Sequence, residues 1–151
     1  MDAQETIERA AVVAEAHEWL GTPWHHRARV KGQGVDCGQL IGEIFTACGL
    51  VDAFDTGDYS MQHHLHRSDE LVKGWVERFA GPVETPLPGD LVLFKFGRCF
   101  SHLGLVVAWP TIIHAYRWTC VELADATKAP FLDRATDRPL ETCFYSYWSR
   151  S

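Results

Sequence analysis

The chain has 151 residues, a net charge of −6 and no run of Lys or Arg longer than a pair, which excludes a nucleic-acid footprint and leaves one domain, residues 1–151, as the expectation. No apolar stretch approaches the ~18 residues of a membrane span, so no membrane partner is expected. The acidic start Met1-Asp2-Ala3-Gln4-Glu5 lacks the basic flank of a secretory signal, so the chain is expected to be cytoplasmic as synthesised.

Taken in order, Glu5 to Leu20 suits a helix buried on a broad face, with Ile7, Ala10, Ala11, Ala14 and then Val12, Val13, Ala16, Trp19 and Leu20 as its apolar residues. Gly21-Thr22-Pro23 ends it. The stretch Trp24 to Val30 has no clear period, and the Gly32/Gly34 pair that follows completes a loop. A second helix starts at Cys37. Leu40, Ile41, Ile44, Phe45 and Cys48 form its apolar stripe, Asp36 stands where a cap is needed, and Gly49 supplies the stop. Asp55-Thr56-Gly57-Asp58 is polar and turn-like, and a third helix is predicted from about Ser68 to Phe79.

Beyond Pro86-Leu87-Pro88-Gly89-Asp90 the pattern changes to short strands. Leu91–Phe96, His102–Ala108, Thr111–Tyr116, Thr119–Leu123 and Cys143–Trp148 make roughly five, each of the length usual in antiparallel sheets. Helices first and a sheet afterwards predicts an α+β fold with the N-terminal helices packed on that sheet. The cysteines, Cys37, Cys48, Cys99, Cys120 and Cys143, are odd in number with no C-x-x-C pair, so a disulfide framework is not expected.

Cys37 opens the second helix, where the partial positive charge of unpaired backbone N–H groups favours a thiolate over a thiol. The plainer reading is a small buried apolar side chain, as most free cysteines are. Among eight histidines, His17 falls on the polar side of its helix, and the tract His63, His64, His66 reads as a surface segment because no cysteine or carboxylate stands at ligand spacing. His102 and His114 differ. Each interrupts an apolar strand, where an unpaired imidazole is costly, and the short connection between the strands lets the two rings sit side by side. The order along the chain is then nucleophile, base, orienter. An open zinc site built from Cys37, His102 and His114 uses the same three residues and competes with that reading.

Gly21-Thr22-Pro23-Trp24, Val35-Asp36-Cys37, Pro88-Gly89-Asp90-Leu91-Val92, Ser101-His102-Leu103-Gly104-Leu105-Val106 and Ile113-His114-Ala115, in this order, resemble the NlpC-type cell-wall peptidase family, a compact papain-like group. The resemblance runs from about Val12 to Tyr116. It implies Cys37 as nucleophile, His102 as general base and His114 as the residue that orients it, with no cofactor and no metal. It also implies a cysteine endopeptidase acting on the peptide stems of peptidoglycan, at the bond between γ-D-glutamate and a diamino acid. The missing signal, the single-domain length, the Gly-Thr-Pro-aromatic-x-His run and the polar insert from Asp55 to Arg67 resemble the phage-tail or gene-transfer-agent branch. Tail proteins as partners and a place in the virion tail are what that likeness implies.

Two positions depart from the family pattern. Asp36-Cys37-Gly38-Gln39 stands where the family commonly reads Asp-Cys-Ser-Gly, which removes a hydroxyl beside the thiol. Trp24 replaces the usual tyrosine and removes a phenolic donor, leaving the Cys37 amide together with Trp24, His25 or His26 to hold the oxyanion. One lost oxyanion donor costs ~10²–10³ in turnover. Asp36 itself reads as a helix cap or as a contact for the substrate's free amine. These departures keep a non-catalytic tail component with the same fold as an alternative.

Overall fold

The computed structural model describes residues 1–52 and 70–150. The Asp55–Asp58 turn, the Asp55–Arg67 insert, the His63, His64, His66 tract and the first residues of the predicted third helix lie outside the described residues.

Helix α1 covers Ala3–Glu18, and the Asp2 carboxylate caps it by accepting the Glu5 N–H at 2.7 Å. Its inward residues are Arg9, Val12, Ala16 and Trp19, at helical spacing, while Ile7, Ala10, Ala11 and Ala14 face solvent. The broad apolar face expected from sequence is thus a narrow stripe with a buried arginine in it. Arg9 donates to Asp90 Oδ1 at 2.8 Å, to the Pro88 carbonyl at 2.9 Å and to Ser146 Oγ at 3.2 Å, and its guanidinium lies 4.2 Å from the Trp148 ring. With Glu5 at 2.9 Å as well, the charge is paired and its donors are used, which is what burial of a guanidinium requires.

Helix α2, Cys37–Ala47, buries Leu40, Ile41, Ile44 and Phe45 completely. It stops where the sequence says. Gly49 adopts φ 72°, its N–H reaches the Thr46 carbonyl at 3.0 Å and the Leu50 N–H reaches Phe45 at 3.0 Å, the paired bonds of a Schellman end. Helix α3 is shorter than predicted, Leu71–Val76, with Trp75 and Val76 buried.

Among the described residues, two sheets hold the strands. A small one pairs β1, Arg29–Val30, with β2, Gly34–Val35, inside the stretch read as loop. The main sheet contains β3 (Gly81–Val83), β4 (Leu91–Phe96), β5 (Cys99–Ala108), β6 (Thr111–Ala115), β7 (Val121–Asp125) and β8 (Thr142–Ser146). It runs β3-β8-β4-β5-β6-β7, antiparallel throughout. The expectation of five strands is therefore corrected to six. Gly81-Pro82-Val83 is too short to show a period and contains a proline, which fits its place at the sheet edge. The chain closes with a 3₁₀ turn, Tyr147–Ser149, where the sequence suggests more strand.

The sheet has two faces. Leu91, Leu93, Leu103, Leu105 and Ile113 join the main core with Leu40, Ile41, Ile44 and Phe45 of α2. Val92, Phe94, Val106 and Ile112 point the other way and are covered by Phe131, from the segment after β7. The three helices among the described residues all reach β5, so this strand has the N-terminal layer on it.

Candidate active site

Asp36 builds the start of α2. Its backbone is extended, at φ −111° and ψ 178°, and Oδ1 accepts the Gln39 N–H at 2.9 Å. Oδ2 accepts the Arg27 N–H at 2.7 Å, which ties the preceding loop, where Arg27 sits at φ 63°, to the same carboxylate. The residue is buried, with both oxygens on backbone donors, as a capping role requires.

Trp24, His25 and His26 flank this helix start. The Val35 N–H reaches the Pro23 carbonyl and the His25 N–H reaches the Val35 carbonyl, each at 3.0 Å, so the segment runs beside the residues leading into Cys37. Gly34 suits this approach, because a Cβ there would stand a tight 3.0 Å from His25 Cβ. Trp24 is half-buried and lies 5.1 Å from the Trp118 ring, centroid to centroid. Trp118 is exposed, and no sequence signal singles it out.

Cys37 is half-buried as a residue, but its sulfur is enclosed closely enough that burial pushes the thiol up to about 12. The neighbouring Asp36 charge acts in the same direction. Backbone N–H groups of Leu103, Gly38 and Cys37 itself point at the sulfur and pull the other way without prevailing. The helix start therefore does not produce a resting thiolate, contrary to the sequence argument, because desolvation of the charged form outweighs the helix-end charge. Gly38 leaves room: a Cβ there meets nothing nearer than Asp36 Oδ1 at 3.9 Å.

The Leu103 amide places the sulfur one peptide from His102 on β5. His102 stands opposite Phe94 of β4, and its ring lies among Phe94, Phe96, Tyr116 and Phe131, at centroid distances of 5.6–6.1 Å. His114, on β6, is fully buried. The two rings meet edge to face, and His102 Nε2 lies 2.7 Å from His114 Nδ1, a hydrogen bond. Burial lowers His114 to about 4, so this imidazole is neutral at ordinary pH. Its Nε2 lies 3.3 Å from Glu122 Oε1 on β7, a residue sequence reasoning missed. The register that pairs His114 with Glu122 carried the only signal, and that register is set by turns the sequence does not fix to a residue.

Two ring nitrogens engaged with each other at 2.7 Å cannot both turn their lone pairs to one ion at the ~2.0 Å that zinc requires. Among the described residues, no group of three His, Cys, Asp or Glu side chains is arranged to hold a metal. The zinc arrangement is therefore set aside on geometry.

The backbone matches that of the NlpC/p60 domain of the peptidoglycan hydrolase SagA, with a TM-score of 0.58 at 18% identity over 89% of this chain and 96% of that one. This chain has the NlpC/p60 fold. An NlpC/p60 family protein from Bacillus cereus matches with a TM-score of 0.63 at 16% identity, over 92% of this chain and 40% of that one. The peptidoglycan hydrolase RipB from Mycobacterium tuberculosis matches at 0.63 and 15% identity, over 97% and 68% respectively. The NlpC/p60 unit found here thus spans nearly all of the SagA domain but less than half of the Bacillus cereus protein. No family model matches the sequence, and neither does any curated protein sequence.

Proposed function

We propose that this NlpC/p60 fold is a cysteine endopeptidase that cleaves peptidoglycan stem peptides, at the bond between γ-D-glutamate and a diamino acid. One observation carries the reading: a buried neutral histidine bonded at 2.7 Å to a second histidine, whose own strand presents its next amide to the sulfur of Cys37. Two of the matched structures, SagA and RipB, are named as peptidoglycan hydrolases, which supports the substrate class.

The mechanism follows from the protonation states. Cys37 rests as a thiol, so its proton must leave as the sulfur attacks the scissile carbonyl carbon, and His102 is the base. With Nε2 of His102 engaged by His114, Nδ1 is the nitrogen that takes the proton. As the carbonyl becomes tetrahedral, the N–H groups of Cys37 and Gly38, at the start of α2, face the charge that develops on its oxygen. His102 then protonates the leaving amine, and a water that it deprotonates releases the acyl group from sulfur. Donors from Trp24, His25 or His26 complete the oxyanion site in this reading, and Asp36 acts through the helix it caps. The Gly21-Thr22-Pro23-Trp24-x-His26 run supports a further placement, as a component of a phage tail or gene-transfer agent working with other tail proteins.

A second reading rests on the enclosure of the Cys37 sulfur: burial and the adjacent Asp36 charge favour the thiol over the nucleophilic thiolate, which supports a tail component that keeps the fold and works through protein contacts. Purified sacculi incubated with wild type and with Cys37→Ala separate the two. New γ-D-glutamyl termini by mass spectrometry with wild type, absent with Cys37→Ala, are expected. Identical muropeptide profiles for both proteins would leave the second reading standing.

A further inference from the structure

We propose that Glu122 is a positioning residue: its carboxylate holds the proton of His114 on Nε2, which leaves His114 Nδ1 as the acceptor that His102 needs. Its catalytic meaning rests on the hydrolase reading above; the protonation state of the ring does not.

Between His102 Nε2 and His114 Nδ1, 2.7 Å apart, there is room for one proton; His114 is neutral, and the base role proposed for His102 requires that ring to be neutral as well. Two arrangements satisfy that. In the first, His102 Nε2–H donates, His114 Nδ1 accepts, and the His114 proton is on Nε2. His102 then presents a bare Nδ1. In the second, His114 Nδ1–H donates, its Nε2 is a lone pair, and the proton of His102 is on Nδ1, where it blocks transfer from a thiol. Only the first leaves a base.

What faces His114 Nε2 decides between them. The atom is buried and, among the described residues, has no hydrogen-bond partner of good geometry. Glu122 Oε1 lies 3.3 Å from it, placed by the β6–β7 pairing that sets His114 directly opposite Glu122. A lone pair aimed at a carboxylate oxygen at that distance is repelled, whereas an N–H is attracted. The first arrangement is selected. Burial keeps His114 from simply taking up a second proton, so Glu122 meets a neutral ring and acts on where its one proton sits. When His102 becomes an imidazolium during the reaction, the oriented His114 dipole and the carboxylate behind it face that charge with the correct sign. The Glu122 side chain is 43% exposed, so water screens part of the effect and a modest size is expected.

The test reads the ring directly. With ¹⁵N-labelled histidine and no substrate, two-bond ¹H–¹⁵N spectra near pH 7 give the ratio of Nε2–H to Nδ1–H forms at His114. Wild type is expected to be predominantly Nε2–H, with the ratio falling about five-fold in Glu122→Ala, the scale of a short-range charge–dipole attraction cut down by solvent. In Glu122→Lys, which offers only donors, the ratio falls at least as far. Amide spectra report that both variants fold. A ratio unchanged in both, or a wild type already Nδ1–H, overturns the proposal. If wild type cleaves sacculi, Glu122→Ala lowers kcat two- to five-fold with KM unchanged, and a raised KM with kcat intact overturns the positioning role. A wild type that cleaves nothing refutes the hydrolase reading alone, because the spectra need no substrate.

Discussion

At the scale of single residues, Asp36 and Cys37 show two effects of one carboxylate in opposition. The side chain organises the helix start that orients the thiol, while its charge works with burial to keep that thiol protonated. Asp36→Asn separates the two. An asparagine oxygen caps as well as an aspartate oxygen, so the bond to Gln39 survives, but the amide NH₂ cannot accept from Arg27. We expect a stability loss of about 1 kcal/mol by urea denaturation, from the Arg27 bond alone. Removing the negative charge lowers the Cys37 pKa, so iodoacetamide alkylation becomes faster than in wild type at the same pH, a rate that mass spectrometry follows directly. KM toward stem peptides stays unchanged if Asp36 only caps and rises if it also holds the substrate's amine. Slower alkylation in a folded Asp36→Asn would contradict this account of the thiol.

Among the elements, α1 depends on the residue that a periodicity reading passes over. Arg9 reads as a polar interruption, yet it ties α1 to the turn before β4 through Asp90 and the Pro88 carbonyl, and to the end of β8 through Ser146. Asp90 uses its other oxygen to accept the Leu87 N–H at 2.8 Å, so one buried carboxylate serves both the turn and the helix contact. Arg9→Ala leaves that carboxylate buried with only the turn to satisfy it, and a loss of about 3 kcal/mol is expected in urea denaturation. Lysine is a poor replacement, since a point charge cannot fork between Asp90, Pro88 and Ser146 or lie flat on Trp148. Arg9→Lys is therefore expected to recover less than half of the loss. Full recovery would mean that charge, and not the planar fork, holds α1 in place. The residues that announced themselves in sequence, Asp36 and Gly49, do so because capping is local chemistry, whereas the Asp2 cap went unread because the first helix was expected to start at Glu5. Arg9, β3 and the β1/β2 pair do not, because their partners lie far along the chain or their length is below one period.

For the molecule as a whole, the order of helices then sheet and the pairing of His102 with His114 were legible because an apolar strand exposes any polar interruption. The Phe131 cover and Glu122 were not, since each depends on which residue the fold brings across a strand or back over a sheet face. The same burial makes global stability depend on acid in a direction that can be worked out. His114 in the folded protein titrates near 4, below its ordinary 6.5. As pH falls below 6.5 the unfolded chain takes up a proton at this ring, and the folded protein refuses it until about 4. Stability is therefore fully present above 6.5 and drains away through that window. At pH 5 the loss from this ring alone comes to roughly 2 kcal/mol relative to pH 7. His114→Gln removes the titrating group, so although the variant is less stable at pH 7, its further decline between pH 7 and pH 5 is expected to be smaller than wild type's by about that amount, read from paired urea titrations. Equal declines in the two proteins would mean that the folded site admits the proton, and that His114 does not stay neutral where His102 needs a neutral partner.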